Sequence, residues 1–298
     1  MRARNQNHTK RRTVWVSQTD SEPCANVSEI ASAMDQAITK KFAGKEQMAA
    51  LETEGFHMKS KALHEDPWST FEPIAVTILD HSYVLARYKE DKGRLVQVRK
   101  MELQAFSDLG LQRTLNRISH PSFRSLLGCY HHGDSVFLAW EHVEVSVVQI
   151  LASKLVMRAS EIIAIVKPIL EGIQYLAERG RVLATLTMNT IFLTQSGKVK
   201  IVGVEDSCEI TASEMDAATL KLYALADIVI KLMGKCHSTH EWPVEIGILP
   251  DRLKSRSLRE ILQTTLFQQT PCPEELILLV NLTNKIAFHR VESHPHRV

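Results

Sequence analysis

Near residue 145 the chain changes its hydrophobic period, and that change restricts the fold more than any other feature. Upstream, "IAVTIL", "SYVLARYK", "RLVQVRKM" and "SVFLAWEHV" alternate or run apolar over short lengths, as strands do. Asp91-Lys92-Gly93, between the second and third runs, carries hairpin-turn chemistry. Downstream, "SVVQILASKL", "ASEIIAIVKPILEGIQYLAERG" and "MDAATLKLYALADIVIKLMGK" repeat apolar residues three and four apart, the helical spacing. One helical stretch, "ELQAFSDLGLQRTLNRI", interrupts the strand region and closes at His120-Pro121. Strands first, helices later and one helix among the strands predict an α+β protein of two lobes.

The N-terminal quarter reads differently. Residues 1–25 are polar, basic and aperiodic, as a disordered tail is. "NVSEIASAMDQAITKKF" follows with Asn26 as a cap, Glu29 three residues on, and Ile30, Met34, Ile38 and Phe42 along one face, which predicts an amphipathic helix. "EGFHMKSKALHEDPWS" reads as a linker ending at Pro67. The expected organisation is therefore a tail over 1–25, a helix and linker over 26–66, and a folded domain over 67–298. Within that domain a β-rich lobe takes about 67–142 and a helical lobe about 143–298.

At 298 residues and 44% hydrophobic content the chain can bury a large core. Its formal net charge of +2 argues against nucleic acid or a membrane surface as a partner. The first twelve residues, "MRARNQNHTKRR", hold five bases and no acid, so a nuclear address is the alternative to a solvated cytoplasmic tail. Five cysteines, an odd number with no C-x-x-C, favour reduced thiols and an intracellular location. No apolar run approaches a membrane span, and the N-terminus has no signal-peptide core. Cys236 and His240, and His289, His294 and His296, lack the second ligand pair that structural zinc needs. They read as surface or core side chains, and no metal is expected.

"RGRVLATLTMNTIFLTQSGKVKIVGVE" has the apolar punctuation of a loop followed by a hairpin turned at Ser196-Gly197. "RISHPSFRSLLGCYHHGDSVFLAWEHVE" precedes it as two strands entering a connecting segment, and "IIAIVKPILEGIQYLAERG" as a long helix. In this order, over roughly residues 72–290, the chain resembles the protein kinase family. The resemblance implies a small β-rich N-lobe, a helical C-lobe trimmed relative to the family, and a nucleotide cleft.

The family's chemistry rests on a Gly-rich loop, a strand lysine, a C-helix glutamate, H-R-D with a following Asn, and D-F-G. The resemblance places the Gly-rich loop on "TILDHSYV", ending at Val84, with Thr77, Leu79 and Ser82 at the glycine positions. Side chains there keep backbone N–H groups away from phosphates. The lysine becomes Arg99, whose planar guanidinium does not reproduce a compact ammonium. The C-helix glutamate falls on Leu111. H-R-D reads Leu183-Ala184-Thr185, and threonine cannot accept the substrate proton at neutral pH. The metal-binding asparagine becomes Thr190, beside Asn189, and D-F-G reads Gly203-Val204-Glu205, which removes the magnesium carboxylate. No aspartate lies between Ser135 and Glu205, so no slip of register restores one.

The implied cleft is filled as well. Gln97 replaces the small alanine over the adenine, Trp140 stands at the gatekeeper before Glu141-His142-Val143, and Phe192 lies where a leucine is expected. With Val84, Glu141 and Val143 these outline a vestigial nucleotide cleft. Leu115, Leu126, Leu183 and Val204 match the stacked apolar positions that join the family's lobes.

The expectation is a catalytically inactive kinase-like module that binds, scaffolds or allosterically regulates a protein partner, an active kinase among the candidates. No catalytic residue, cofactor or metal is expected. The alternative is an atypical ATP-dependent protein kinase or phosphotransferase using Lys100, Asn189, Glu205 and Asp206, with ATP and magnesium as cofactors under that reading alone.

Overall fold

A computed structural model of the chain describes residues 63–78, 81–104, 115, 118–235, 242–268 and 273–292. The basic tail, the capped helix over 26–42, Leu79, Leu111, Cys236 and His240 lie outside the described residues. So does most of the helix read over 102–118. The chain divides into two units, Met1–Leu103 with Gly128–Ala139, and Gln104–Leu127 with Trp140–Val298. Together they make a mixed α+β protein.

The first unit is built on a five-stranded sheet in the order β1-β2-β3-β5-β4. Its strands are β1 (Phe71–Ile78), β2 (Ser82–Tyr88), β3 (Leu95–Glu102), β4 (Leu126–His132) and β5 (Ser135–Glu141). Four of the five coincide with the apolar runs read from sequence. The β2–β3 turn forms as its residues suggest: Asp91 accepts from Gly93 N–H through Oδ1 at 3.2 Å and from Arg94 N–H through its carbonyl at 3.0 Å. Pro73 sits in an edge strand, where a missing N–H is tolerated.

Aromatic side chains fill this unit. Phe71 meets Tyr88 edge-on at 4.9 Å and Tyr130 at 5.6 Å, and Trp68 meets Phe137 at 6.1 Å. Such pairs add to burial because a ring edge faces a ring π-cloud. Burial raises the Cys129 thiol to about 11 and the Tyr130 phenol to about 12, so both stay neutral. Among the described residues, Cys129 and Cys208 are not in a disulfide, Cys129 buried and Cys208 exposed.

The stretch read as linker up to Pro67 is already tied down at Leu63. Its N–H donates to Cys129 O at 2.9 Å and its carbonyl accepts from His131 N–H at 2.8 Å. Asp66 then caps the single turn α1 (Pro67–Thr70) by accepting from Trp68 N–H, which aims Trp68 inward.

The second unit begins with β6 (Val145–Ser146) and α2 (Val147–Ala152), the latter held by a Ser146–Gln149 capping box. The long helix α3 (Ala159–Ala177) is its centre, with Ile162, Ile165, Val166, Ile169, Leu170, Ile173 and Leu176 buried. Arg158 N–H donates to Glu161 at 2.7 Å to start it, and Gly180, at φ +63°, lets the chain turn away after it. Gly172 has no side chain where a Cβ would meet Ser122 at 3.2 Å and the Phe123 ring at 3.3 Å. The residues around 122–123 therefore press on the helix backbone.

Short strands follow: β7 (Arg181–Val182) pairs with β10 (Cys208–Glu209), and β8 (Ile191–Leu193) lies between β6 and β9 (Val199–Ile201). The Ser196-Gly197 hairpin expected between β8 and β9 is present, with Gly197 at φ +74°. The helical stretch read from Met215 starts late. Asp216 accepts from Thr219 N–H in a turn, Lys221 takes a left-handed φ of 65°, and α4 (Leu222–Met233) begins only then. Helices α5 (Val244–Gly247), α6 (Leu249–Ser255), α7 (Leu258–Leu262), α8 (Thr265–Gln268) and α9 (Pro273–Glu292) complete the unit. Among the described residues no helix is long and apolar enough to cross a membrane.

Candidate functional site

The singled-out positions fall in both units. In the first, Val84 on β2 pairs across the sheet with Val98 and is half-buried. Gln97 on β3 is only 2% exposed, and its Nε2 donates to Thr77 Oγ1 at 3.3 Å. A buried amide needs such partners, and Thr77 supplies one. Arg99 follows on the same strand, half-buried, and Lys100 is exposed.

In the second unit, Trp140 ends up 2% exposed, with the Arg124 guanidinium 5.7 Å from its ring centroid. Arg124 Nε donates to the Glu141 carbonyl at 2.7 Å, and Glu141 N–H donates to Ser125 O at 2.9 Å. The Glu141 carboxylate accepts from Ser125 N–H at 3.1 Å and lies 2.9 Å from Lys200 Nζ. Lys200, 5% exposed on β9, also donates to Phe123 O at 3.3 Å. A buried ammonium is stable only with such compensation. Backbone and side chain of Glu141 are thus both committed within the unit.

Val143 is buried next in the chain, and Glu144 lies 3.6 Å from His142 Nε2. The neighbouring His142, with a lesser contribution from Asn284, holds the Glu144 carboxyl below its ordinary range against partial burial. Phe192 on β8 is directly opposite Ser146 on one side and Lys200 on the other, which makes Phe192 and Lys200 neighbours on one face.

The loop over 183–190 is held differently. Leu183 and Leu186 enter the aliphatic core around α3, leaving Thr185 exposed between them. The Thr190 hydroxyl donates to Thr187 O at 3.0 Å and accepts from Thr187 N–H at 2.9 Å, so it closes its own turn. Asn189 N–H donates to Thr187 Oγ1 at 3.2 Å. Gly203 takes φ +81° and leads into a 3-10 turn over Val204–Asp206, in which Val204 and Glu205 are buried and Asp206 is exposed. Of the four stacked apolar positions, Leu183 and Val204 join the core, while Leu115 and Leu126 are half-buried.

In the second unit Arg124 touches both Trp140 and Glu141, and Lys200 joins Glu141 to the strand position opposite Phe192. Thr185, Thr190 and Gly203 sit on a separately anchored loop and turn. Sequence reading passed over Arg124 and Lys200, the two bases that make the first set of contacts. The sequence carries no local signal for Lys200, because on a strand it faces the opposite side from Val199 and Ile201, the ordinary place for a solvated charge. Among the described residues no group of three or more His, Cys, Asp or Glu side chains is placed to hold a metal ion. No protein-family model and no curated protein matches the chain.

Proposed function

We propose that this chain is a kinase-like module without phosphotransfer activity, acting by binding, scaffolding or allosterically regulating a protein partner. Supporting it is the chain order read from the sequence: five strands, then the long helix α3, then the β8–β9 hairpin. The observation that carries the reading is how polar groups are used at the positions where the family does chemistry. Thr190 bonds back to Thr187, the Glu141 carbonyl is taken by Arg124, and the Glu141 carboxylate by Lys200 and Ser125. Each of these groups is engaged by the protein itself, a structural use of positions that the resemblance assigns to nucleotide binding and catalysis.

The test is thermal unfolding with millimolar ATP, with and without magnesium. A ligand at 100 times its dissociation constant would add about 2.7 kcal/mol to stability. No rise in Tm is expected. A reproducible, magnesium-dependent rise would overturn this reading and favour the phosphotransferase built on Lys100, Asn189, Glu205 and Asp206.

A further inference from the structure

The loop over 118–123 is tied to the end of α3 by the Tyr175 phenol, and its own turn is closed by the His120 imidazole. Ser122 N–H donates to His120 Nδ1 at 3.2 Å, which requires that nitrogen to be unprotonated. Ser119 N–H donates to the Tyr175 hydroxyl at 2.8 Å. The His120 ring lies 4.8 Å from that of Tyr175 and 5.8 Å from that of Phe123. The Arg179 guanidinium lies 3.6 Å from the Tyr175 centroid.

We propose that His120 is a proton-operated latch on its own turn: neutral, it closes the 120–122 turn by accepting from Ser122 N–H, and by taking a solvent proton on Nδ1 it releases that amide. That proton would point at the Ser122 N–H, replacing an acceptor with a second donor. The surrounding charges act in one sense. Arg179 and Tyr175 face His120 from the end of α3, Lys200 faces it from β9, and Glu178 is the one opposing anion.

Burial first, then Arg179 and Lys200, lower the His120 imidazole below its ordinary value, with Glu178 pulling weakly the other way. The neutral form is thus favoured by folding. Its contribution is fully present above the unfolded histidine value, about 6.5. It is lost as pH falls from there through the lower folded value. The latch is closed at neutral pH and opens in acid. The loop runs directly into Phe123 and Arg124, which bond to Lys200 and Glu141, so opening loosens the approach to that anchor. This proposal does not depend on the kinase-like reading.

The test is nuclear magnetic resonance on the full chain from pH 8 to pH 5, following the His120 ring and the hydrogen-exchange protection of the Ser119 and Ser122 amides. Ser122 protection should fall about five- to tenfold through the His120 titration, the ratio that one lost hydrogen bond carries. The titration midpoint should lie below that of an ordinary histidine. In His120→Asn, which keeps a side-chain acceptor for the N–H two residues on but takes up no proton here, the protection step should vanish. If that variant does not fold, Arg179→Gln serves instead and should move both the titration and the protection step to higher pH. Ser122 protection that stays flat while His120 titrates would overturn the latch. So would a step unchanged in the variant that is measured.

Discussion

The loop over 118–124 and the loop over 183–190 belong to the same unit, put Phe123 and Leu183 with Leu186 into the same core, and differ in what is added to that burial. The first adds a set of directional polar contacts: His120 to Ser122, Tyr175 to Ser119, Arg124 to the Glu141 carbonyl, and Lys200 to Phe123 O and the Glu141 carboxylate. The second is held by Leu183 and Leu186, buried in an aliphatic core, with one threonine turn at its end. Charge and hydrogen bonding depend on protonation state, whereas apolar burial has no proton to lose. The contrast assigns sensitivity to solution conditions to one loop and plain stability to the other.

The sharpest way to break this contrast is Leu183→Ala. Removing a fully buried leucine from a close-packed core should cost roughly 2–5 kcal/mol, read as a lower denaturation midpoint. The loss should be the same at pH 5.5 and pH 8. A loss that changed with pH would mean that Leu183 acts through a titrating neighbour and that the two loops are not held differently.

Lys200→Met should come next. It strips one partner from a buried pair, but Glu141 keeps Ser125 N–H and is partly exposed, so the cost should be about 1–3 kcal/mol. That is below the roughly 3–5 kcal/mol typical of a fully buried pair. Adding Glu141→Gln should recover part of it, because the orphaned charge goes too. A double variant as unstable as the sum of the single ones would show that the two side chains do not interact, and the polar anchor would lose its centre.

The smallest effect should be Thr190→Val, which keeps the shape and the Thr190 N–H bond to Thr187 O but removes both hydroxyl bonds to Thr187. About 1 kcal/mol is expected from chemical denaturation. A change well above that would mean that Thr190 has a larger role than closing its own turn.

Much of the architecture could be read before any coordinates. The Asp91-Lys92-Gly93 turn, the Ser196-Gly197 hairpin and the extent of α3 come from local chemistry: side-chain acceptors two residues away, glycine's freedom at positive φ, and a helical apolar stripe. The start of α4 could not be read, because the apolar spacing runs on from Met215. The turn at Asp216 and the left-handed Lys221 interrupt it. Periodicity reports which residues prefer burial, not where the backbone must bend to bury them. At the candidate site, burial of Trp140, Val143 and Phe192 was legible as apolar or aromatic content, whereas Gln97 was singled out by the resemblance alone. The roles of Arg124 and Lys200 were not, because a charged residue in a sequence usually reads as a solvated one.

By itself the sequence determined the two hydrophobic periods, the turns between strands, and the absence of ionisable groups at Leu183, Thr185, Thr190 and Gly203. Tertiary structure alone decided that Leu63 would pair with β4 and that Lys200 would reach Phe123, 77 positions away, together with Glu141. It also decided that His120 would lie among Tyr175, Phe123 and Ser122. The physical reason is range. Periods and turns arise from steric and hydrogen-bonding choices within a few residues, which each stretch expresses alone. The partner of a buried charge is whichever group strand register and helix packing bring within about 3 Å, and no local pattern encodes that.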